Sequence, residues 1–297
     1  MMKLKFLVTA LLITGTSLLG FKSLAQQKVK KKEIGLQLYS VKSLIHNDTD
    51  YFPVLKRLAG MGYTGVEAAG FNDGLFYNTS PQDFKSKVEK AGMKVISSHV
   101  TRTLTKEELA SGDFSNALAW WEKAIDAHKA AGMKYIVTPW LEVPKTVKDL
   151  ETQCKYLNEV GKLCRQKGIK YGYHNHAHEF QKVEDKVIMF DYMIEHTDPQ
   201  NVFFEMDVYW TVIGKSSPVD YFNKYPGRFL ALHIKDHREV GQSGMVGFDA
   251  IFKNAKKAGV QQIFVELEEV SGDLEVGLQQ SIDYLKAASY VPASYAK

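Results

Sequence analysis

Short hydrophobic runs recur along the chain, and the longer segments between them carry apolar residues at three- and four-residue spacing. Residues 115–130 and 147–166 are examples of these longer segments, and their spacing predicts amphipathic helices. Five of the hydrophobic runs follow a glycine that is itself preceded by a small or polar residue. Such a glycine suits the left-handed conformation that ends a helix, and the run after it suits a buried parallel strand. The five instances are Ala59-Gly60-Met61, Ala91-Gly92-Met93, Ala131-Gly132-Met133, Lys167-Gly168-Ile169 and Ala258-Gly259-Val260.

Three further runs bring the predicted strands to eight, with starts 28 to 40 residues apart. That interval accommodates one strand, one loop and one helix. Eight alternating units favour an α/β fold with a closed (β/α)8 TIM barrel, built as a single domain over residues 34–290, rather than an open sheet. No glycine-rich nucleotide-phosphate motif follows a strand. The predicted strands are 34–39, 64–68, 94–98, 134–138, 170–174, 201–207, 229–235 and 261–266.

The amino terminus has the layout of a secretory signal peptide. Lysines precede a mostly apolar run at 6–20, and Ser23-Leu24-Ala25 offers small residues for cleavage. This pattern predicts a signal peptide at 1–25, followed by a basic linker at 26–33, and a run too short for a comfortable membrane span. We therefore expect a periplasmic or secreted protein without a membrane anchor after cleavage. Removal of 1–25 lowers the formal charge from +4 to +1, which gives no electrostatic case for nucleic-acid binding.

Ionisable side chains gather where the predicted strands end. In (β/α)8 barrels the reacting groups lie at the carboxyl ends of the strands, so we expect these side chains to converge. Carboxylates and imidazoles together are the ligand set of Mn²⁺, Zn²⁺, Co²⁺ or Fe²⁺, and the sequence predicts one divalent ion. The side chains are Glu67, His99, Glu142, His174, His176, Asp207, His233, Lys235, Glu266 and Glu268.

Four motifs carry a resemblance to a known family. Residues 173–180 (YHNHAHEF), 206–210 (MDVYW), 232–236 (LHIKD) and 264–268 (FVELE) are similar to the motifs of strands five to eight in the sugar phosphate isomerase/epimerase superfamily. This superfamily of xylose isomerase-like TIM barrels includes ketose 3-epimerases, inosose dehydratases and hydroxypyruvate isomerases. The likeness spans about residues 34–288.

The resemblance implies that Asp207, His233 and Glu266 are metal ligands. Many relatives place a glutamate at the end of strand five, where this chain has His174. Either His174 replaces that carboxylate, or Glu142 from the neighbouring loop supplies it. We favour Glu142, because it would preserve a set of three carboxylates and one imidazole.

The remaining residues are assigned to catalysis and substrate binding. His176 is the candidate for proton transfer, since a neutral imidazole works near pH 7. Lys235 is a candidate to neutralise a developing oxyanion, with pairing to Asp236 as the alternative, and Glu266 belongs to both the catalytic and the metal set. The predicted substrate-binding residues are Glu67, His99, Trp140, His174 and Trp210.

These assignments predict an enzyme that removes a proton beside a sugar carbonyl, leading to isomerisation, epimerisation or β-elimination. An exported protein would rarely meet phosphorylated sugars, so free ketoses, inososes or 3-keto-glycosides are the expected substrates. The partner is a small carbohydrate and not a nucleic acid, and a homodimer is left open. The competing hypothesis is a non-catalytic carbohydrate-binding barrel, which the displaced strand-five glutamate supports.

Overall fold

The computed structural model describes residues 31–45 and 50–295, which belong to one compact unit. The predicted signal peptide and most of the predicted linker lie outside the described residues. Within the described residues, no helix is both long and apolar enough to cross a bilayer. Lys32, at the end of the predicted linker, donates hydrogen bonds to the carbonyl oxygens of Leu285 (3.0 Å) and Ala288 (2.5 Å). This end of the linker is therefore attached to the folded unit.

All eight predicted strands are present and parallel. Hydrogen bonding joins them in the order β3-β2-β1-β8-β7-β6-β5-β4. The two outer strands of this order meet as well, because Val100 N donates to Val137 O (2.8 Å) and Lys134 N donates to Ile96 O (2.9 Å). The predicted (β/α)8 TIM barrel is thus confirmed. The strands are β1 Gly35–Gln37, β2 Gly65–Ala68, β3 Lys94–Ser98, β4 Tyr135–Thr138, β5 Lys170–His174, β6 Val202–Asp207, β7 Phe229–Ile234 and β8 Gln262–Val265.

Helices connect successive strands and cover the outside of the barrel. Two short antiparallel hairpins lie in the loops after β2 and β5, at 71–76 and 182–188. The helices are α1 Phe52–Met61, α2 Pro81–Ala91, α3 Lys106–Ser111, α4 Ser115–Ala130, α5 Val147–Gln166, α6 Met189–His196, α7 Val208–Ile213, α8 Pro218–Lys224, α9 Phe248–Ala258 and α10 Leu274–Ala287.

The predicted helix-ending glycines are correct in four of the five units and wrong in the first. Gly92 and Gly259, for example, have φ values of +97° and +93°. In the first unit, however, α1 continues through Gly60 to Met61, and Gly62 takes the left-handed conformation with φ +113°. The sequence contains both glycines, and the helix ends at the second because Gly60 still lies in its last turn.

The barrel interior is layered, and this layering positions the polar residues. Side chains two residues apart point to the same face of a strand. Phe203 therefore shares the interior face of β6 with Glu205 and Asp207. Phe203 belongs to a small apolar cluster that fills the lower part of the barrel, with Ile96, Tyr135, Val137, Ala231 and Phe264. The strands thus change from apolar to ionisable side chains as they approach the carboxyl-terminal face.

Candidate active and metal site

A cavity of about 810 Å³ opens at the carboxyl ends of the strands. Its floor includes His174 and Glu266, and His99 and His176 contribute to its wall. Five aromatic rings also line it, those of Tyr39, Phe71, Trp120, Trp140 and Trp210. Four predicted substrate-binding residues (His99, Trp140, His174 and Trp210) therefore do reach the cavity. The fifth does not, because Glu67 is fully buried and is absent from the cavity lining.

Four buried side chains converge beside the cavity floor, which two of them, His174 and Glu266, line, and we call the four the upper group. They are His174, Asp207, His233 and Glu266, and one ligand-type atom from each lies within 4.8 Å of the others. They come from the ends of β5 and β6, from β7, and from the residue after β8. Consecutive strands of the barrel thus bring together donors that are separated along the sequence.

The two carboxylate oxygens of Asp207 differ in their hydrogen bonding. Its Oδ1 accepts a hydrogen bond from Trp210 N (2.7 Å) and caps the amino terminus of α7. Oδ2 is buried and has no hydrogen-bond partner among the described residues. Burial raises the pKa of Asp207 to about 8, although the nearby charge of Lys235 opposes this shift. A bound cation would compensate the burial and favour the ionised carboxylate.

Asn175 holds Asp207 in place through the backbone. Its Oδ1 accepts from Asp207 N (3.2 Å), and its Nδ2 lies 3.3 Å from Thr211 Oγ1. Thr211 Oγ1 in turn donates to Asp207 O (2.7 Å). These bonds fix the end of β6 against the end of β5, so the carboxylate cannot turn freely.

His174 and Glu266 have the protonation states that a metal ligand requires. Burial, together with the charge of His233, lowers the pKa of His174 well below its usual value, so its imidazole is neutral. Burial alone would raise the pKa of Glu266, but His233 and Lys235 lower it to about 2. His174 Nδ1 is buried and lies 3.4 Å from Glu205 Oε2. A neutral imidazole and an ionised carboxylate suit Mn²⁺, Zn²⁺, Co²⁺ or Fe²⁺.

The structure does not bring Glu142 to this group. Its side chain is exposed on the loop after β4, and its Oε1 lies 3.4 Å from Trp140 Nε1. Among the described residues, the fourth ligand-type side chain near Asp207, His233 and Glu266 is that of His174, which the sequence analysis treated as the alternative ligand. The preference for Glu142 thus fails on geometry, because the loop carries its side chain toward solvent rather than toward the barrel axis.

Glu205 is a buried site residue that the sequence analysis did not identify. It lies on β6, two residues before Asp207, and its Oε2 is 2.8 Å from His99 Nε2. Burial and the neighbouring Glu67 would raise the pKa of Glu205, but the charge of His233 and hydrogen bonds from His174 and His233 lower it to about 2. The two-residue period of a strand was the available signal, because it puts residue 205 on the same face as residue 207.

His176 and Lys235 both lie beside the upper group. Burial lowers the pKa of His176 to about 4, and its Nδ1 is buried without a hydrogen-bond partner. Its ring centroid is 5.0 Å from that of Trp140. Lys235 Nζ lies 3.2 Å from Glu268 Oε1 and 4.0 Å from Glu266 Oε2. Lys235 thus pairs with Glu268, whereas Asp236 accepts hydrogen bonds from the backbone of residues 237 and 241.

Comparisons with known proteins agree with this architecture. Residues 55–288 match the family model described as xylose isomerase-like TIM barrel. A solved sugar phosphate isomerase/epimerase from Parabacteroides distasonis is 34% identical with a TM-score of 0.81, covering 88% of this chain and 100% of that chain. A 3-keto-D-glucoside 4-epimerase from E. coli has a TM-score of 0.62 at 17% identity, covering 87% of this chain and 100% of that one. At that identity the likeness concerns the fold alone.

Curated relatives include several proteins named inosose dehydratase. The one from Clostridium tetani is 26% identical over 145 residues, which are 49% of this chain and 45% of that protein. The one from Geobacillus kaustophilus is 23% identical over 201 residues, which are 62% of this chain and 61% of that protein. The chain therefore spans about half to three fifths of the length of these relatives.

Proposed function

The chain belongs to the xylose isomerase-like TIM barrel family, and from this membership and the site geometry we propose that it is a divalent-metal-dependent sugar-converting enzyme. Its reaction removes a proton from the carbon beside a sugar carbonyl. The observation that carries the proposal is the upper group, four buried ligand-type side chains that include an unpartnered carboxylate oxygen of Asp207 and that reach an aromatic-lined cavity through His174 and Glu266.

In this proposal His174, Asp207, His233 and Glu266 hold one divalent ion. Bound there, Mn²⁺, Zn²⁺, Co²⁺ or Fe²⁺ would polarise a sugar carbonyl and make the neighbouring carbon more acidic. All four residues are buried. Electrostatic interactions are stronger in such surroundings than in water.

His176 is the proposed proton acceptor. It lines the cavity and is not part of the upper group, so its ring remains available to substrate. Its lowered pKa keeps the imidazole neutral at pH 7. Glu179 accepts a hydrogen bond from His176 N (2.8 Å) and thereby fixes the loop that carries the ring. Lys235 is buried beside Glu266 and outside the cavity lining, so in this proposal its positive charge acts on the developing oxyanion at a distance rather than by contact with the sugar.

We further propose that the substrate is an unphosphorylated sugar. Among the described residues, the cavity lining contains the carboxylates of Asp73, Glu266 and Glu268 and includes no lysine or arginine. A phosphate dianion is usually held by such cations. Free ketoses, inososes and 3-keto-glycosides fit this lining. The export signal at 1–25, which stays a prediction, supports the same choice.

Mass spectrometry of product mixtures tests this proposal directly. The protein loaded with Mn²⁺ is incubated with a ketose, an inosose and a 3-keto-glucoside, before and after treatment with a chelator. We expect conversion of at least one of them, because each carries an acidic carbon beside its carbonyl. Conversion should stop with the chelator and return with Mn²⁺. Isomerisation conserves mass and elimination changes it, so the reaction type is read in the same experiment. Binding of a sugar without any turnover would favour the non-catalytic barrel instead.

Trp140 is expected to hold the sugar rather than to take part in the chemistry. Its ring is 44% exposed at the cavity rim, where a flat apolar face can stack on a sugar ring. Replacing Trp140 with alanine should raise KM by about tenfold, equivalent to about 1.4 kcal/mol, with kcat little changed. Steady-state kinetics on the converted sugar measures both constants. A loss confined to kcat would contradict a binding role.

A further inference from the structure

A second set of side chains shares His233 with the upper group, and we call it the lower ring: Glu67, His99, Glu205 and His233. Glu67, Glu205 and His233 are fully buried, and His99 reaches the cavity wall. We propose that Glu67 and Glu205 are positioning residues. Glu67 determines which ring nitrogen of His233 faces the ion, and Glu205 determines which ring nitrogen of His99 faces the cavity. The role of the ion in this inference rests on the proposed function. The arrangement of the four side chains stands independently of it.

The contacts of the lower ring form a closed circuit of alternating nitrogen and oxygen atoms. His99 Nε2 lies 2.8 Å from Glu205 Oε2 and 3.1 Å from Glu67 Oε1. His233 Nε2 lies 2.7 Å from Glu67 Oε1 and 3.2 Å from Glu205 Oε2. Each imidazole nitrogen therefore has one short and one long contact.

The short contacts are the hydrogen bonds. An imidazole Nε2 carries at most one hydrogen, so two hydrogens must serve four contacts. Distances of 2.7 and 2.8 Å are those of charge-assisted N–H···O bonds. His233 therefore donates to Glu67, and His99 donates to Glu205, while the two longer contacts add electrostatic attraction only.

The same distances argue against a second metal ion in the lower ring. Three lower-ring residues (His99, Glu205 and His233) and His174 of the upper group each place one ligand-type atom within 4.8 Å of the others, which makes an ion conceivable. Donor atoms around a tetrahedral ion with bonds near 2.0 Å would, however, be about 3.3 Å apart. The 2.8 Å contact between His99 Nε2 and Glu205 Oε2, which both belong to this group, is too short for that arrangement and suits a hydrogen bond.

Both hydrogen bonds cross the interior of the barrel. Glu67 lies on β2 and His233 on β7, whereas His99 follows β3 and Glu205 lies on β6. Neither pair of strands is adjacent in the sheet. Gln37, on β1, donates from Nε2 to Glu67 Oε1 (2.8 Å) and holds this carboxylate in place. The imidazole rings of His99 and His233 are nearly parallel, at 12° and 5.1 Å between centroids.

These bonds have a direct consequence for the ion site. With Nε2–H bound to Glu67, His233 keeps Nδ1 for the upper group, where it lies 3.2 Å from Glu266 Oε2. Metal-binding histidines commonly donate their other ring nitrogen to a carboxylate, which fixes the ring and strengthens the ligand. His99, held by Glu205, likewise keeps Nδ1 for the cavity that its ring lines.

The test compares Glu67→Gln with Glu205→Gln in the full chain, with Glu89→Gln on the exposed face of α2 as the matched control. Calorimetry measures Mn²⁺ affinity, and the visible spectrum of bound Co²⁺ reports the ligand arrangement. We expect Glu67→Gln to weaken Mn²⁺ binding about 10- to 100-fold and to change the Co²⁺ spectrum. Glu205→Gln should weaken binding less, because the short bond of His233 goes to Glu67. Wild-type affinity and spectrum in Glu67→Gln would overturn the inference.

A second measurement uses the metal-free wild-type protein, so it depends neither on a bound ion nor on whether a variant folds. In ¹⁵N-detected spectra of the metal-free wild-type protein, Nε2 of both His99 and His233 should carry a hydrogen that exchanges slowly with water. An unprotonated Nε2 on His233 would overturn the inference even if Glu67→Gln failed to fold. Inactivity toward every sugar tested would count against the proposed function and leave this result unaffected.

Discussion

Replacing both Asp207 and His233 with alanine is expected to abolish metal binding and to lower activity by at least about 10³-fold, equivalent to about 4 kcal/mol of transition-state stabilisation. The reason is that the double variant removes two of the four donors of the upper group, including the unpartnered Oδ2 of Asp207. The measurement combines metal analysis of the purified protein with the rate on the converted sugar. Circular dichroism establishes that the variant is folded.

Glu142→Gln is the control for this first expectation. Its carboxylate is exposed and outside the upper group, so metal content and rate should match those of the wild-type protein. Full activity in the metal-free double variant would contradict the account. Loss of the ion in Glu142→Gln would restore Glu142 as a ligand and would mean that the loop after β4 folds inward when an ion binds.

Replacing His176 with glutamine is expected to lower kcat by about 10²- to 10⁴-fold while the ion remains bound. The imidazole is neutral and lies on the cavity wall, and it is separate from the four proposed ligands. Glutamine retains a polar group of similar length but cannot accept a proton at pH 7. Single-turnover rates with saturating Mn²⁺ isolate the chemical step from binding.

His196→Gln is the matched control for this second expectation. His196 is exposed at the end of α6, and its Nδ1 bonds to Tyr192 O (2.9 Å). It should not change the rate. An unchanged rate in His176→Gln would assign proton transfer to another cavity residue, and loss of the ion would place His176 among the ligands instead.

The fold could be predicted from the sequence because the sequence patterns that indicate it are local and repeated. A glycine that ends a helix and an apolar run that follows it occupy a few adjacent residues, and eight alternating units admit few architectures. The error at Gly60 has the same local character. Two glycines stand two residues apart, and only the length of α1 decides which one adopts positive φ.

The candidate site could be predicted from the sequence only in part, because the sequence indicates where strands end but not where a loop directs its side chains. The strand ends predict that Asp207, His233 and Glu266 gather at one rim of the barrel, and the resemblance to the family singled them out as ligands. Glu142 lies on a loop, and nothing in its local sequence indicates that its side chain turns toward solvent. The choice between Glu142 and His174 therefore needed the three-dimensional arrangement.

The lower ring was missed for a different reason. Glu67 was assigned to substrate binding, and Glu205 was not singled out. A strand periodicity gives the face of a residue but not its depth along the barrel axis. Their hydrogen bonds join residues 106 and 166 positions apart in the sequence, and such long-range pairs leave no local pattern.

Anomalous X-ray diffraction from crystals grown with Mn²⁺ tests the central claim most directly. We expect one anomalous peak per chain, within bonding distance of His174, Asp207, His233 and Glu266. A protein without any peak, or with its peak enclosed by His99 and Glu205 instead, would contradict the account.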